Sequence, residues 1–294
     1  MDCYLAIDIG ASSGRHIVGW LNDGEIKTEE VYRFKNGVQS RNGSLVWDVN
    51  RLYKEVINGL KAAHIMGYKP KYIGIDTWAV DYALLDKEDK LIGDIYAYRD
   101  SRTERAIDGV HRIISFDELY KRTGIQRQPF NTIYQLYADK ISGRTDKAES
   151  LLMLPDYLNF LLTGVKKQEY TNATSTGLVN AQTHDWDGHI LDLLGYNRKL
   201  FGGLSHPQTV VGELKKEVQK EAGYSATVVL PATHDTASAV EGIPFKDNSP
   251  YISSGTWSLL GIKVPAAITD ENSRKANYSN EGGVGYYRYQ KNIM

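Results

Sequence analysis

Alternating apolar and polar residues mark the N-terminal part of the chain as a series of strands. The pattern predicts a strand from Tyr4, a tight Gly/Ser turn, and a second strand from Arg15 to Trp20. A third predicted strand, Glu25 to Phe34, follows an Asp23-Gly24 pair, which supplies the positive φ angles that a hairpin turn needs. The chain is therefore expected to open with an antiparallel meander.

A helical period replaces this alternation after the meander. Asp48 is a residue type that favours the helix N-cap, and Leu52, Val56 and Leu60 after it fall on one face of a helix that reaches about Met66. The apolar stripe predicts that this helix packs on the sheet.

Short apolar segments predict more strands, at Lys71 to Asp76, Tyr82 to Asp86 and Thr227 to Leu230. Residues 101–165 are predicted to be mainly helical, and Pro155 is placed to begin an apolar helix. A meander followed by a helix and a strand is the order of an α/β, RNase H-like fold, the layered architecture of the actin-type ATPases.

The segment 241–250 is rich in proline, glycine and polar turn formers, so we interpret it as a linker. An N-terminal domain is predicted over residues 1–243 and the start of a second, similar domain over residues 244–294, with a strand at Ser258 to Val264. The residues after Pro250 are fewer than the roughly 60 that even a marginal domain needs. The second domain is therefore expected to be incomplete.

Composition narrows the class of ligand. The 294 residues include 35 Lys and Arg and 36 Asp and Glu, a net charge of −1, and no basic stripe suggests nucleic acid binding. The N-terminus enters a strand without a leader-like apolar core, no apolar run is long enough to span a membrane, and Cys3 is the only cysteine. We expect a cytoplasmic protein that binds a small molecule.

Two Gly/Ser hairpins, at residues 8–15 and 253–259, are the first candidates for binding chemistry. Glycines permit a close backbone approach, and the hydroxyls of Ser12 and Ser13 can face a polyphosphate, while Asp8 could hold Mg²⁺. Neither a Walker loop nor the Gly-x-Gly-x-x-Gly motif is present. Each hairpin alone is compatible with an ordinary turn, but the pair favours two phosphate-binding loops.

His234, Asp235 and Thr236 follow a predicted strand and form the second candidate site. Phosphoryl transfer to an alcohol needs a carboxylate that accepts the hydroxyl proton, and Asp235 suits this role. The alternative is that Asp235 or Thr236 only caps the following helix. His234 could donate to a substrate hydroxyl or serve as a structural group.

Two further segments contain candidate residues with open alternatives. Trp78 and Asp81 could line a sugar pocket at a strand end, although Trp78 also suits the core. Asp100 and Arg102 could contact substrate but are expected instead to pair with each other. Residues 170–176 are expected to form a structural loop that supports the cleft.

Taken together, several segments resemble the FGGY family of carbohydrate kinases, and within it the branch that acts on L-rhamnulose. The resemblance runs in order along the whole chain, on the segments Asp8–Arg15, Gly74–Asp81, Tyr98–Thr103, Pro129–Thr132, Met153–Tyr157, His234–Val240 and Ser253–Leu259. It implies transfer of the γ-phosphoryl group of ATP to the 1-hydroxyl of L-rhamnulose, with Mg²⁺ as cofactor.

The resemblance also implies roles for individual residues. Asp235 matches the proton acceptor and Asp8 the acid that organises Mg²⁺. The positions that match ATP contacts are Ala11, Ser12, Ser13, Gly14, Arg15 and Thr256. Those that match sugar contacts are Ala79, His234, Asp235, Thr236 and Asn292.

Two alternatives to this function stay open at this point. The sugar could be another ketose, such as L-fuculose or L-xylulose, because pocket contacts rather than the fold determine specificity. Family members are longer than this chain, so the chain could also be a non-catalytic, sugar-binding fragment.

Overall fold

The structure is a computed structural model in which residues 2–245, 249–255 and 257–293 are described. Its centre is a six-stranded sheet, and a four-stranded sheet follows towards the C-terminus. Strands within the described residues are β1 (Cys3–Ile9), β2 (Ser13–Asn22), β3 (Glu25–Lys35), β4 (Gln39–Arg41), β5 (Ser44–Trp47), β6 (Tyr72–Thr77), β7 (Tyr82–Leu85), β8 (Ile95–Tyr96), β9 (Ser150–Met153), β10 (Gln168–Glu169), β11 (Leu204–Ser205), β12 (Val210–Glu213), β13 (Thr227–Val229), β14 (Tyr251–Ser254), β15 (Ser258–Val264), β16 (Ser279–Gly282) and β17 (Tyr287–Asn292).

The helices lie mostly between β5 and β14. The α-helices are α1 (Val49–Ile65), α2 (Glu104–Ile113), α3 (Phe116–Thr123), α4 (Thr132–Ile141), α5 (Leu154–Thr163), α6 (Tyr170–Ala173), α7 (Gly188–Leu193), α8 (Lys216–Ala222), α9 (Asp235–Glu241) and α10 (Glu271–Lys275). Short 3₁₀ turns cover Ser101–Thr103, Arg144–Lys147, Thr174–Thr176 and Arg198–Leu200. In the part of the chain that is described, none of these helices is both long and apolar enough to cross a bilayer.

The central sheet has the strand order β12-β13-β6-β1-β2-β3. Strands β13, β6 and β1 run parallel to one another, and β2 and β3 continue from β1 as the predicted antiparallel meander. The carboxyl ends of the three parallel strands therefore meet at one edge of the sheet, which is where ligands bind in open α/β sheets. This edge carries the candidate site.

Helices α1 and α5 cover one face of the central sheet. As predicted, Asp48 is the N-cap of α1, and its carboxylate accepts a hydrogen bond from the Arg51 N–H. Leu52, Val56 and Leu60 are buried against the sheet. Alternate side chains of β1 point into the same core, in the period-two pattern of a strand with one buried face.

Between β6 and β13 the chain builds a second layer with its own apolar core. Residues 101–165 are mainly helical, as predicted, but β9 interrupts them and pairs antiparallel with β7. Residues 170–176 were expected to form a loop, and instead they form α6 and a 3₁₀ turn. The buried Glu169 carboxylate accepts from the Thr171 and Asn172 N–H groups, so it caps this helix at its first turn.

The four-stranded sheet has the order β14-β15-β17-β16, and all its strands are antiparallel. Strand β15 spans Ser258–Val264, as predicted from its alternation, and β14 begins at Tyr251, directly after the predicted linker. The division of the chain into domains at residues 243 and 244 stays a prediction.

We expect Gly59→Ala to destabilise the protein, although alanine normally stabilises a helix interior by about 1 kcal/mol relative to glycine. Gly59 lies within α1, and a Cβ atom there would stand 2.1 Å from Cδ2 of the buried His16 ring. The overlap should lower the unfolding free energy by about 1–3 kcal/mol, measured by urea denaturation. Adding His16→Ala should make Gly59→Ala neutral or favourable, whereas a stabilising Gly59→Ala single variant would contradict the steric argument.

We expect His16 to make stability depend on pH below neutrality. Burial lowers the pKa of His16 to about 4, against roughly 6.5 in an unfolded chain. Between these values the unfolded state binds more protons, so stability falls as the pH falls from about 6.5 towards 4. From pH 7.5 to 4.5, parent protein should lose roughly 2–3 kcal/mol more unfolding free energy than His16→Leu. Parallel pH dependences of the two proteins would contradict this.

Candidate active site

A cavity of about 650 Å³ lies at the carboxyl ends of the parallel strands, between the central sheet and the second sheet. Both Gly/Ser hairpins contribute to its wall. The residues that line it include Asp8, Ala11, Ser12, Ser13, Arg15, Asp76, Trp78, Ala79, Tyr98, Phe130, His234, Asp235, Thr236, Ser253, Ser254, Trp257, Glu281 and Asn292. Parts of the chain distant in sequence thus converge on one space large enough for a small ligand.

Most of the predicted site residues lie on this cavity. The wall includes every predicted sugar contact, the predicted acid Asp8, and four of the predicted ATP contacts, Ala11, Ser12, Ser13 and Arg15. Gly14 is not on the wall, and Thr256 lies outside the described residues. The structure therefore brings the two predicted groups into one place without testing their roles.

The first hairpin is held by its own backbone and by Asn36. The Gly10 N–H donates to the Ser13 carbonyl at 2.9 Å, and the Asn36 amide donates to the Gly10 carbonyl at 2.9 Å. The Asn36 N–H also donates to the Ser12 carbonyl at 2.8 Å. These bonds hold the turn in place, and Ser12 and Ser13 line the cavity wall.

Gly14 has a packing reason to be glycine, in addition to the one that its motif suggests. A Cβ atom on Gly14 would lie 2.2 Å from the Phe34 ring on the neighbouring strand. The absence of a side chain on Gly14 therefore allows β2 to pack against Phe34.

Three carboxylates converge at the floor of the cavity. Asp8 and Asp76 are register partners on the parallel strands β1 and β6, and Asp235 begins α9. Burial raises the pKa of Asp76 well above its ordinary value, and the neighbouring Asp8 and Asp235 carboxylates raise it further. Arg15 offsets part of this charge through an ion pair of 2.8 Å between its Nη2 and Oδ2 of Asp8.

This donor set suits a hard divalent cation. Mg²⁺ prefers carboxylate oxygens and usually takes only one or two from the protein, with waters and phosphates completing its shell. Asp8 and Asp76 fit that requirement, because they are adjacent acids on the cavity floor that repel each other without a cation. No tighter cage of three or more His, Cys, Asp or Glu side chains occurs among the residues described.

Asp235 is the first residue of α9 and not its cap. His234 occupies the N-cap position without a side-chain capping bond, so the capping alternative for Asp235 and Thr236 is wrong. The Asp235 carboxylate accepts from the Thr236 N–H at 2.6 Å and is about one-third exposed, at 36%. Burial raises the pKa of Asp235 above its ordinary value, while His234 and the Thr236 N–H oppose the shift.

His234 is mostly buried beside Asp235. Its Nε2 lies 3.4 Å from Oδ1 of Asp235, on the cavity side, and its Nδ1 faces Arg288 and Glu281 from the second sheet. The ring thus lies between the central sheet and the second sheet.

The backbone before His234 is anchored by Glu169. The Glu169 Oε2 atom accepts from the Thr233 N–H at 3.1 Å and the Thr233 hydroxyl at 2.8 Å. On the other side, the Thr77 N–H at the end of β6 donates to the Thr233 carbonyl at 3.0 Å. These bonds fix the position from which His234 and Asp235 extend.

Asp81 does not line the cavity, contrary to expectation. It is fully buried, and its carboxylate accepts from Trp47 Nε1 at 2.6 Å, Trp78 Nε1 at 2.9 Å, the Tyr98 N–H at 3.1 Å and Gln135 Nε2 at 3.0 Å. Burial raises the pKa of Asp81 to about 6, although these donors oppose the shift. Asp81 therefore holds Trp78 in the wall and is not a ligand group.

The backbone next to Asp81 is strained. Val80 has a φ of 68°, which is costly for a β-branched residue. Its carbonyl accepts from the Thr132 hydroxyl at 2.7 Å and from Gln135 Nε2 at 3.2 Å. The strain occurs beside Ala79, at the cavity, where such conformations tend to have a functional reason.

Aromatic rings form one side of the cavity. Phe130 contacts Tyr98 at 5.8 Å between ring centroids and Trp257 at 5.7 Å. Trp257 belongs to the second hairpin, so this contact joins the two sides of the cavity. Trp78 lines the cavity and also belongs to the apolar core, so the pocket and core interpretations of this residue both hold.

Arg102 and Asp100 are less directly paired than expected. Their closest ion-pair atoms are 3.9 Å apart, whereas Arg102 Nη1 lies 2.8 Å from Oδ1 of Asp139. Arg102 therefore belongs mainly to a structural ion pair with α4.

Sequence reasoning missed Asp76, Glu281, Arg288 and Phe130. Asp76 could have been found from the sequence. It is an acid near the end of the strand predicted at Lys71 to Asp76, and the ends of parallel strands meet at the edge where Asp8 lies. Local sequence gave no such signal for Glu281 and Arg288, because their role depends on how the second sheet sits against α9.

Comparison with known proteins agrees with the resemblance to carbohydrate kinases. Residues 3–242 match the model of the FGGY family of carbohydrate kinases, N-terminal domain. The chain is 50% identical over 295 aligned residues to the rhamnulokinase of Oceanobacillus iheyensis, covering 99% of this chain and 63% of that protein. It is 42% identical to the rhamnulokinase of Bacillus subtilis, covering 99% of this chain and 60% of that protein.

Solved structures of sugar kinases share the fold. A ligand-bound xylulose kinase from Lactobacillus acidophilus superposes with a TM-score of 0.87 at 18% identity, covering 99% of this chain and 60% of that one. Plasmodium falciparum glycerol kinase with ADP gives a TM-score of 0.79 at 17% identity, covering 100% of this chain and 61% of that one. These likenesses confirm the predicted actin-type fold.

The chain spans between 59% and 63% of the length of seven curated relatives, all rhamnulokinases. Within that span the family model covers the central sheet, the helical layer and the Asp235 segment. The chain therefore belongs to the FGGY family of carbohydrate kinases.

Proposed function

We propose that the protein containing this chain transfers the γ-phosphoryl group of ATP to the 1-hydroxyl of L-rhamnulose, giving L-rhamnulose 1-phosphate and ADP. The observation that carries this proposal is the position of Asp235, a partly exposed carboxylate on the same cavity as the Ser12-Ser13 hairpin. The rhamnulokinase names of the relatives support the choice of sugar.

Asp235 is proposed as the proton acceptor. In the reaction, the 1-hydroxyl oxygen forms a bond to the γ-phosphorus, its proton passes to the Asp235 carboxylate, and the bond from phosphorus to the β,γ-bridging oxygen breaks to release ADP. The raised pKa of Asp235 makes its carboxylate a stronger base than an exposed aspartate. The Thr236 N–H keeps the carboxylate oriented.

The first hairpin is proposed to bind the phosphates of ATP. Ala11, Ser12, Ser13 and Arg15 lie on the wall and offer backbone N–H groups, hydroxyls and a guanidinium. Gly14 belongs to the same turn, and its lack of a side chain leaves room for the Phe34 ring. We assign Thr256 to the second phosphate contact on the strength of the motif alone.

Asp8, together with Asp76, is proposed to hold Mg²⁺. When bound there, the cation would neutralise charge on the phosphates during transfer. Without it, Arg15 is the cation that balances Asp8.

The sugar is proposed to bind at Ala79, His234, Thr236 and Asn292, which lie on the cavity with Asp235. His234 Nε2 is on the cavity side, so it can meet a hydroxyl. The aromatic wall of Trp78, Tyr98 and Phe130 offers the apolar surface that the less polar side of a deoxy sugar requires.

We keep the division at residues 243 and 244 as a proposal for the domain boundary. The family model for the N-terminal domain ends at residue 242, which supports it. The two domains would then be joined in the segment that follows α9.

Asp235→Asn should abolish phosphorylation while leaving sugar binding largely intact. The amide keeps the size of the side chain but cannot accept the proton, so kcat should fall by about 10²–10⁴-fold. The measurement is a coupled ADP-release assay with L-rhamnulose and Mg-ATP on the full-length gene product, with calorimetry for binding of the sugar. The matched control is Asp108→Asn, an exposed aspartate on α2, which should behave as the parent. Near-normal turnover by Asp235→Asn would disprove the assigned base.

L-Rhamnulose should be the preferred ketose. L-Xylulose lacks the terminal methyl carbon, and each missing apolar carbon in a fitted pocket typically costs about 10–200-fold in kcat/KM. L-Fuculose keeps that carbon but inverts one hydroxyl, so it should lose a hydrogen bond instead. Comparison of kcat/KM across the three sugars tests this, and a higher value for either competitor would reassign the substrate. Sugar binding by the full-length protein without any turnover would instead favour a binding function.

A further inference from the structure

Arg288 is the largest fully buried side chain among the described residues, with 0% exposure. It extends from β17 of the second sheet, and the proposed roles of Asp235 and its neighbours do not use it. A buried arginine needs compensating partners, because an isolated buried charge is strongly unfavourable. Its partners show what this residue does.

Two groups on β16 hold the guanidinium. Glu281 is the cross-strand register partner of Arg288, and its Oε2 atom lies 3.2 Å from Nη2 of Arg288. The Arg288 Nε–H donates to the Gly282 carbonyl at 3.1 Å. Although burial opposes ionisation, the Arg288 guanidinium is the main cause that lowers the pKa of Glu281 to about 2, so Glu281 remains a carboxylate.

The third partner of Arg288 is His234. Nη2 of Arg288 lies 3.2 Å from Nδ1 of the ring, in hydrogen-bonding geometry. Nδ1 also lies 3.2 Å from Oε2 of Glu281, but only the contact to Arg288 has hydrogen-bonding geometry. Because a guanidinium has only donors, Nδ1 is the acceptor in that bond. The proton of the neutral ring is then on Nε2, which lies 3.4 Å from Oδ1 of Asp235 on the cavity side.

We propose that Arg288, held by Glu281, is a positioning residue that fixes the His234 ring with Nε2–H directed to the cavity. His234 then presents a donor to Asp235 and to a sugar hydroxyl, and its ring cannot turn without breaking the bond to Arg288. The inference rests on the proposed function for its effect on catalysis, but not for the state of the ring. It also means that the second sheet contributes to the sugar site through buried side chains.

The state of the ring can be measured directly. In full-length protein with ¹⁵N-labelled histidine, at a pH where the ring is neutral, Nδ1 of His234 should give the shift of an unprotonated acceptor and Nε2 that of a protonated nitrogen. His234→Gln identifies the signal. A protonated Nδ1 would show that the ring donates to Glu281 instead, and would overturn the proposal whether or not the protein is a kinase.

The catalytic effect is tested with the double variant Arg288→Met/Glu281→Gln, which removes both charges so that neither is left buried alone. We expect the ring signals to show both tautomers, and kcat/KM for L-rhamnulose to fall about 10–100-fold, the usual effect of losing an outer partner that orients a functional histidine. The KM for ATP should stay unchanged. The single variant Glu281→Gln keeps the Arg288 donor but leaves its charge without a carboxylate, so it should retain the parent tautomer while lowering the unfolding free energy.

Tyr289→Phe is the matched control. Tyr289 neighbours Arg288 on β17, points to the other side of the strand, and bonds the Ser273 hydroxyl at 2.7 Å. It should change neither the ring signals nor the kinetics. An unchanged kcat/KM in the double variant, or an equal loss in Tyr289→Phe, would overturn the positioning role. If parent protein has no kinase activity, the proposed function fails while the ring measurement still decides this inference.

Discussion

The main electrostatic constraint on this structure is the cluster of acidic side chains at the ends of the parallel strands. Asp8, Asp76 and Asp235 reach this edge from β1, β6 and the segment after β13, and the register of β1 with β6 places two of them side by side. Burial and the neighbouring Asp8 and Asp235 carboxylates raise the pKa of Asp76 well above its ordinary value. Arg15 offsets part of the negative charge. The remaining charge favours a cation at this edge, in line with the proposed Mg²⁺ site at Asp8 and Asp76.

Buried carboxylates that are saturated by donors keep this charged edge in place. Asp81 accepts from two tryptophan rings, a backbone N–H and Gln135, and Glu169 accepts from the backbone of α6 and from Thr233. Such groups are stabilising only when every oxygen has a donor, because an unsatisfied buried polar atom costs about 1–3 kcal/mol. Exposed pairs such as Arg198 with Asp192 contribute much less, since water competes for both partners. The site is therefore held by its buried polar contacts and not by the surface ion pairs.

Local sequence patterns were sufficient to predict the main strands and helices, and to place at the cavity the residues that directly follow a strand. The meander, α1 with its Asp48 cap, and β15 were predicted from periodicity and turn chemistry, and the cavity position of Asp235 from its place after a strand. Residues whose environment comes from distant segments could not be assigned in this way. Asp81 has the sequence context of a pocket acid, but donors from three other segments bury it, and Gly14 is explained by Phe34 on the next strand.

The contacts between the two sheets connect binding of the sugar to the arrangement of the second sheet. Trp257 packs on Phe130 at one side of the cavity, and Arg288 bonds His234 at its base. A displacement of the second sheet by even 1 Å would stretch the bond between Nη2 and Nδ1 from 3.2 Å to beyond hydrogen-bonding range. The ring orientation is therefore available only when the second sheet is seated against α9. Because the second hairpin belongs to that same sheet, a correctly oriented His234 coincides with correct placement of the second hairpin, so the proposed sugar and phosphate contacts depend on the same packing of the two sheets.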